Sequence, residues 1–368
     1  MRRSVLAASL LLTTSASTLA GNLDALRDSL DHLPATIFVQ EHGDLAYFVD
    51  VQALTALAQS NDGQMPGTRL MLGADMNGLE TLLRSERSDW EAKSGTSLDQ
   101  LRYFTSYGRP PNGVSLWGLS DEAAASDLIA SLETQGFEPF GETGVVGNGE
   151  PMAAALDMRD PTDPWRTRIG AAQFAALKGS TVVQTGTPQS AMLVAVDQPA
   201  IGQNEIVQMA VAGLGEAVGE GSIMQAVVIS PFFGMAGLDP AAFISPSASV
   251  EEIREQAEQQ MAALSEGIPP YLGGIIADVQ HDSPGATIAL AYPDCAMAEQ
   301  AAEAVAQRWE ETSGGDITTG TVEGESGLCA ATINALTSAD APEHNPSYRS
   351  LIEPFVRGEP GPLQIGES

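Results

Sequence analysis

Residues 285–311 read GATIALAYPDCAMAEQAAEAVAQRWEE and contain the clearest strand-to-helix transition in the chain. The first eight residues are an apolar run of strand length, typical of a buried strand. Asp294 then begins an Ala-rich helix that we expect to end near Glu311, because an Asp beside a helix start accepts hydrogen bonds from the free backbone N–H groups there. The stretch therefore predicts a strand followed directly by a helix.

A second stretch of the chain has the same order of features. Residues 113–119 form an apolar run, and Asp121 then caps a helix that we expect to reach Glu133. Turn residues of the Pro, Asn and Gly kind precede both apolar runs, and a further strand candidate precedes each turn. Because Asp121 and Asp294 lie about half of the mature chain apart, the pattern predicts an internal duplication.

Each copy reads as β-α-β-β-α-β-β, a prediction that depends on the order and spacing of the segments rather than on identical residues. The segments of the first copy are residues 46–49, 79–92, 101–106, 113–119, 121–133, 137–140 and 152–156. Those of the second copy are residues 226–229, 250–264, 272–279, 285–292, 294–311, 317–322 and 329–333. A strand at 181–184 and helices at 188–196 and 206–218 are predicted between the copies.

The tight turns make the central strands of each copy a hairpin, so we expect mainly antiparallel sheets and an α+β fold. The predicted organisation is a signal peptide over residues 1–20, a first α+β unit with its connecting segment over 21–200, a second unit over 201–340, and a Pro- and Gly-rich tail over 341–368. We expect the tail to lie as an extended strap or to be mobile.

The start of the chain has the three parts of a cleavable signal peptide. Arg2 and Arg3 form a cationic head, and an apolar stretch follows over residues 5–12. Small residues then lead to a cleavage pattern that ends at Ala20. The apolar stretch is far shorter than the ~20 residues needed to span a bilayer. We therefore expect a periplasmic or secreted protein with no transmembrane anchor after cleavage.

The charge of the chain argues against two classes of partner. There are 48 acidic residues against 17 basic ones, which gives a formal net charge of −31 at pH 7. Such a chain repels nucleic acid phosphates and anionic membrane surfaces, so we expect neither as a partner. The acidic residues are scattered, which favours a solvated surface; attraction for cations or basic partners is the alternative.

The chain has two cysteines, Cys295 and Cys329. In an oxidising compartment an isolated pair is most simply a disulfide. A metal-binding or redox pair would call for C-x-x-C spacing or neighbouring histidines, and both are lacking here. We therefore predict a structural disulfide that ties the start of a helix to a strand of the second copy.

No catalytic motif is found in the sequence. The serine hydrolase elbow, the S-x-x-K pair, H-E-x-x-H, the P-loop and the EF-hand pattern are all absent. His32, His42, His281 and His344 are far apart along the chain. His42 and His281 each lie near carboxylates in a predicted turn and are general-base candidates, although a solvated turn histidine is the commoner case.

A D-x-x-D-x-x-D run is formed by Asp157, Asp160 and Asp163. Calcium binds several carboxylate oxygens on one loop, so these residues are a candidate calcium site, and no other cofactor is expected. The spacing differs from the alternate-residue spacing of known loop sites, and Arg159 and Arg166 could neutralise the acids. A solvated or salt-bridged loop is the alternative.

Phe232, Phe233 and Met235 follow the apolar segment of the middle of the chain. Two adjacent aromatic side chains and a methionine could line an apolar pocket or a partner surface. A core strand that runs into a turn explains the same residues.

Together these observations favour a non-enzymatic protein that binds a ligand or an envelope protein in the groove between two related lobes, since clefts at domain interfaces favour binding sites. One alternative is a metal-dependent or carboxylate-based hydrolase that uses Asp157, Asp160 and Asp163. Another is an envelope-assembly or structural partner that uses the acidic surface or the Phe232–Phe233 segment.

Overall fold

In the part of the chain that the structure describes, twelve strands form one antiparallel sheet with helices on both faces. The structure is a computed structural model. It describes residues 17–39, 46–60, 65–70, 76–108, 113–166, 169–230, 232–235, 267–313, 315–337, 344–357, 359 and 361–366. The mixed α+β character predicted from the sequence is confirmed.

Seven of the strands come from the first half of the chain and five from the second half. They are β1 (Ala46–Asp50), β2 (Leu101–Tyr107), β3 (Val114–Leu119), β4 (Glu138–Pro139), β5 (Val145–Gly147), β6 (Phe174–Lys178), β7 (Thr181–Thr185), β8 (Ser222–Ile229), β9 (Gly273–Gln280), β10 (Pro284–Tyr292), β11 (Gly315–Glu323) and β12 (Cys329–Thr337). Their order across the sheet is β11-β12-β10-β9-β8-β1-β2-β3-β7-β6-β5-β4.

The helices of the described residues pack against this sheet. They are α1 (Ser17–His32), α2 (Val51–Ser60), α3 (Asn77–Leu82), α4 (Arg87–Ser94), α5 (Glu122–Thr134), α6 (Pro188–Ala195), α7 (Glu205–Val218), α8 (Cys295–Glu310) and α9 (Pro346–Val356). None of them is long and apolar enough to cross a membrane.

The sheet is buried on both faces, which explains why its central strands read as continuous apolar runs. Successive residues of a strand point to opposite faces. In β1, Tyr47 and Val49 belong to one core, whereas Ala46 and Phe48 belong to the other. Helices α2, α3, α4, α5, α8 and α9 contribute to the first core, and α1, α6 and α7 contribute to the second.

Two helix starts form as the sequence predicts. The Asp121 carboxylate accepts from the Ala124 amide at 2.8 Å, and the Asp294 carboxylate accepts from the Met297 amide at 2.9 Å. Each bond satisfies one of the backbone N–H groups that a helix start leaves without an intrahelical partner. The two strand-to-helix transitions that suggested the fold are therefore confirmed.

The two halves of the chain meet within one sheet, and the strand order is similar in the part of each half nearest the centre. β1 and β8 pair with each other at the centre, and β2–β3 and β9–β10 are the adjoining hairpins. In each half the chain then passes through a helix and returns as further strands, four in the first half (β4–β7) and two in the second (β11 and β12), and the last of them pairs with the hairpin. β7 therefore occupies the position in the first half that β12 occupies in the second.

The sequence misplaces the return strands of the first half. The strand predicted over 152–156 is wrong, because Met152 has a φ of 59° in a turn and a 3-10 turn follows at Leu156–Met158. A residue with that φ is in the left-handed region and does not continue a strand. Of the strand predicted over 137–140, only the two residues of β4 form. The true return strands are β6 and β7, and only β7 was predicted.

The two long helices predicted from the sequence and the predicted tail strap have different outcomes in the structure. The helix predicted over 79–92 is two helices, α3 and α4, held together where the Trp90 indole donates to the Gly78 carbonyl at 3.1 Å. The helix predicted over 250–264 lies outside the described residues. The tail contains helix α9, so the extended strap predicted from residue 341 is wrong over that segment.

The predicted disulfide is confirmed. Cys295, at the start of α8, is bonded to Cys329, the first residue of β12, and their Cα atoms lie 5.0 Å apart. The bond closes a loop that contains all of α8 and β11. It therefore fixes the outer part of the second half of the sheet.

Removing the disulfide is expected to destabilise the fold. Replacing both cysteines (Cys295→Ala with Cys329→Ala) should lower the free energy of unfolding by about 3–4 kcal/mol, since the unfolded chain regains the entropy of the open loop. Urea unfolding of the oxidised wild type and of the double variant measures this difference. Wild type treated with a reductant is the control and should match the variant; a loss below about 1 kcal/mol would contradict the prediction.

Candidate functional site

A cleft of about 420 Å³ opens where the two halves of the sheet meet. It lies between α2 from the first half and the start of β8 and the β9–β10 turn from the second. Its described lining residues are Ala53, Ala56, Leu57, Glu220, Ser222, Met224, Gln280, His281 and Asp282. Pockets of this size accommodate small molecules.

Helix α2 provides the apolar wall of the cleft. It starts directly after β1, and the buried Asp50 carboxylate accepts from the Ala53 amide at 2.7 Å, as a capping residue does. Val51 and Leu54 are fully buried and hold the helix on the sheet. The opposite side of the helix, with Ala56 among its exposed residues, is left to face the cleft.

The turn between α7 and β8 brings a carboxylate to the cleft. Gly219 ends α7 with a φ of 53°, a conformation that favours glycine, and the exposed Glu220 follows. The next residue, Gly221, lies against the His281 ring, since a Cβ on it would be 2.6 Å from the ring carbon Cε1. Because Gly221 has no side chain, it leaves room for the His281 imidazole.

The β9–β10 turn supplies the remaining polar groups. His281 is half-buried and Asp282 is exposed, and the His281 amide donates to the Ser283 carbonyl at 3.1 Å to close the turn. The Gln280 side-chain amide donates to the His281 carbonyl at 2.8 Å. This turn is at the place predicted from the sequence, and it puts the general-base candidate His281 in the cleft beside a carboxylate.

The described lining of the cleft is acidic. Glu220 and Asp282 are its carboxylates, and no lysine or arginine is among the lining residues that the structure describes. The cleft therefore combines an apolar wall with a negative rim, an arrangement suited to a small cation with a hydrocarbon part.

A buried ion pair braces the wall of this cleft. The Arg69 guanidinium donates from Nε to the two Asp278 carboxylate oxygens at 2.9 and 3.1 Å, and from Nη2 to Oδ1 at 2.5 Å. Both side chains are wholly inaccessible to solvent. Arg69 also donates to Gln280, which lines the cleft. The pair thus connects the first half of the chain to the strand that carries the cleft.

Further donors complete the shell around Asp278. The Gln225 amide donates to its Oδ2 at 2.9 Å and to the Arg69 carbonyl at 3.0 Å. The Asn345 amide donates to its Oδ1 at 2.6 Å, and the Asn345 side-chain oxygen accepts from the Tyr348 amide at the start of α9. Burial, and then the Asp278 charge, raises the pKa of Tyr348 well above its usual value. The Asp278 carboxylate therefore holds three segments of the chain together, namely those that contain Arg69, Gln225 and Asn345.

The structure does not bring the three predicted calcium ligands together. Asp157 is exposed, Asp160 binds the Lys93 ammonium at 2.5 Å, and Asp163 accepts from the Trp165 amide at 2.7 Å. Lys93 therefore forms the ion pair with Asp160, and the Arg166 charge also acts on Asp163. Within the described ranges, no three His, Cys, Asp or Glu side chains are placed to hold a metal ion.

The Asp160–Lys93 pair predicts a small contribution to acid sensitivity. The Lys93 hydrogen bond, aided by the Thr162 amide and hydroxyl, lowers the pKa of Asp160 to about 2. A carboxyl whose pKa is lower in the folded chain stabilises the fold above about pH 4, and that contribution is lost as the pH falls towards about 2. Both side chains are more than one-third exposed, so the effect should stay below about 1 kcal/mol.

Unfolding at pH 7 and pH 3 tests the Asp160 contribution. Asp160→Asn should lose less stability between these pH values than the wild type does, because the variant has no carboxyl to protonate there. Asp157→Asn, which removes an exposed acid of the same loop, should behave like the wild type. Equal pH dependence of all three proteins would show that the pair contributes nothing measurable.

Of the other predicted site residues, those that the structure describes are not among the lining residues of the cleft. Phe232 is 37% exposed and Phe233 is half-buried against the first core, whereas the side chain of Met235 is outside the described residues. His42 is also outside the described residues. His32 donates from Nδ1 to the Asp28 carbonyl at 2.7 Å, within α1.

Sequence reasoning missed Glu220, Arg69 and the partners of Asp278. One signal was present: Asp278 is a single acidic residue inside the apolar strand GGIIADVQ, at residues 273–280. A charged residue at a core position is almost never left without a partner. The sequence could therefore have indicated a buried partner, although not that the partner is Arg69, which lies far away along the chain.

Comparison with protein-family models, with curated proteins and with solved structures finds no match to this chain.

Proposed function

We propose that this is an exported, non-enzymatic binding protein whose ligand is a small organic cation held in the cleft between α2 and the β9–β10 turn. The observation that carries the proposal is the lining of that cleft, which joins two carboxylates to an apolar wall and includes residues from both halves of the chain. The sequence predicts a binding site in a groove between two halves of the chain, and we propose that this cleft is that groove.

The chemistry of the lining defines the class of ligand. Glu220 and Asp282 favour ammonium groups, because charge-assisted hydrogen bonds to carboxylates are about twice as strong as neutral ones. Ala53, Ala56 and Leu57 offer an apolar surface to the hydrocarbon part of the same molecule. An alkylamine or a diamine meets both demands. The negative charge of the whole chain, −31, would also attract such ligands over a distance.

Export and duplication form part of the same proposal. The signal peptide pattern at the start of the chain and the Cys295–Cys329 disulfide both support a periplasmic or extracellular location. The similar strand order of the two halves near the centre of the sheet supports an origin by internal duplication. A cleft where two such halves meet would then be a natural place for a binding site.

A carboxylate-based hydrolase is the second candidate, and one observation favours it. His281 lies in the same cleft as Glu220 and Asp282, and a histidine beside carboxylates is a common general base. Turnover of ester, amide or glycoside substrates by the mature protein, lost in His281→Ala, would establish this alternative. The binding proposal expects no turnover.

Thermal melting tests the binding proposal. The mature protein should be stabilised by about 2–5 °C by excess butylamine or 1,4-diaminobutane and not by succinate, since only the amines complement the carboxylates. The double variant Glu220→Gln with Asp282→Asn should lose this response. Glu216→Gln, which changes an exposed acid of α7 outside the cleft lining, should keep it.

Two outcomes would contradict the binding proposal. One is stabilisation by succinate equal to that by the amines, which would show that charge does not select the ligand. The other is an amine response that survives in the cleft double variant, which would place amine binding elsewhere on the acidic surface.

A further inference from the structure

We infer that the outer edge of β11 is a docking site for an extended, basic polypeptide strand of another protein, which would add to the sheet as a thirteenth strand. Among the strands that the structure describes, β11 is the last on one side of the sheet. The β11 edge is separate from the cleft, because β11 lies three positions away from β9 in the order of strands across the sheet. It is independent of the small-molecule proposal.

The edge is long and regular. β11 has nine residues, and all nine pair with β12 in continuous register from Gly315–Thr337 to Glu323–Cys329, without a bulge. On its other side no strand of the described residues pairs with it. In an antiparallel pair, the N–H and C=O groups of alternate residues point away from the partner. β11 thus presents a row of outward backbone donors and acceptors.

β11 lacks most of the usual protections of an edge strand, and its two charged residues, Asp316 and Glu323, lie near its ends. Natural edge strands are commonly shortened, bulged, or carry lysine or proline, because an open edge pairs with other chains. β11 contains none of these, and five of its residues are β-branched: Ile317, Thr318, Thr319, Thr321 and Val322. The opposite edge of the sheet differs, since β4 has only two residues and one of them is Pro139. One edge is protected and the other is open.

The solvent exposure of β11 is consistent with an accessible edge. Thr318, Thr319, Gly320 and Thr321 in the middle of the strand are all exposed. Ile317 and Val322 are half-buried: Ile317 packs against the first core, and Val322 packs against a small cluster of Met209, Ala291 and Ala330. The strand is therefore anchored by its apolar residues while its centre remains open to a partner.

The charge around the edge selects the kind of partner. Acidic residues lie on β11 and in the segments that flank it: Glu310, Glu311, Asp316, Glu323 and Glu325. No lysine or arginine occurs in the sequence between Arg308 and Arg349. A second copy of this chain would bring the same acidic edge and another −31 charges, which repel. A strand that carries lysine or arginine complements the edge instead, and main-chain pairing gives it affinity.

A designed peptide tests the inference. The probe is a capped nine-residue peptide in which valine alternates with lysine or threonine, and its binding to the mature protein is measured by fluorescence anisotropy. Binding should be saturable and should weaken by about tenfold or more when alternate peptide amides are N-methylated, because the main-chain hydrogen bonds of strand addition are lost. Equal binding of the N-methylated peptide would overturn the inference, since attraction of charges alone would explain it.

Protein variants locate the site and identify the competing outcome. Thr319→Lys with Thr321→Lys should reduce peptide binding by about tenfold or more, because lysine is a natural edge protection and repels the basic strand. Thr319→Val with Thr321→Val keeps the strand preference and should bind as the wild type does. Melting temperatures of both variants confirm folding. Loss of peptide binding by the valine variant, no binding by the wild type, or a wild-type dimer that the lysine variant abolishes in sedimentation would each overturn the inference.

Discussion

Asp278→Ala is expected to lower the free energy of unfolding by about 3–5 kcal/mol, because it leaves the Arg69 guanidinium buried without its counter-charge. Both side chains have no solvent exposure, so water cannot replace the lost carboxylate. The amides of Gln225 and Asn345 would lose an acceptor as well. Urea unfolding followed by far-UV circular dichroism measures the change, and the loss should be among the largest of any single polar substitution in this chain.

Two variants control the Asp278 result. Asp282→Ala removes an exposed carboxylate of the adjoining turn and should change stability by less than about 0.5 kcal/mol. Arg69→Met with Asp278→Leu removes both charges, and should recover much of the stability that Asp278→Ala loses, since the unpaired buried charge is then gone. A single variant as stable as the wild type would show that the buried pair is not formed.

Trp117→Ala is expected to cost about 3–5 kcal/mol, the usual range for removing a large aromatic side chain from a core. Trp117 is fully buried and stacks between two other indoles, with ring centroids 5.7 Å from Trp90 and 4.8 Å from Trp165. Phe104 meets it edge-on at 4.9 Å. The indole also donates to the Gln184 side-chain oxygen at 2.9 Å. Chemical denaturation of the variant measures the loss.

Phe232→Ala is the matched control for the tryptophan variant. Phe232 is an aromatic residue that is 37% exposed, and its removal should cost less than about 1 kcal/mol. If Trp117→Ala were no more destabilising than Phe232→Ala, the indole stack could not be the centre of the core of the first half.

The sequence predicts the centre of each half well because local signals and tertiary structure agree there. The hairpins β2–β3 and β9–β10, the caps at Asp121 and Asp294, and the disulfide all follow from short-range patterns or from simple chemistry. Apolar runs between turn residues indicate strands, and a capping Asp marks a helix start. These features also define where the two halves meet.

The return strands of the first half could not be placed in the same way. The predicted duplication assigned residues 152–156 by analogy with the second half, but the first half has a longer connection before β6 and β7. β6 reads FAALK, with few β-branched residues, and so has a weak strand signal of its own. Pairing with β7 and β5 creates this strand, and that is a tertiary effect.

The candidate site is harder to predict than the fold, since its parts come from distant segments. His281 and Asp282 were visible as turn residues, yet Glu220 and the α2 wall reach them only through the pairing of β8 with β1 and β9. The Arg69–Asp278 pair likewise joins residues that no local pattern relates. The D-x-x-D-x-x-D run shows the reverse case, in which a local pattern exists but Asp160 and Asp163 bind other groups of the protein.

Calorimetric titration of the mature protein with 1,4-diaminobutane tests the central proposal most directly. We expect one saturable binding event for each chain, weakened by added salt because the contacts are electrostatic, absent from the double variant Glu220→Gln with Asp282→Asn, and retained by Glu216→Gln. The absence of saturable heat from the wild type, or the same heat from the cleft double variant, would contradict the assignment of this cleft as the binding site for small organic cations.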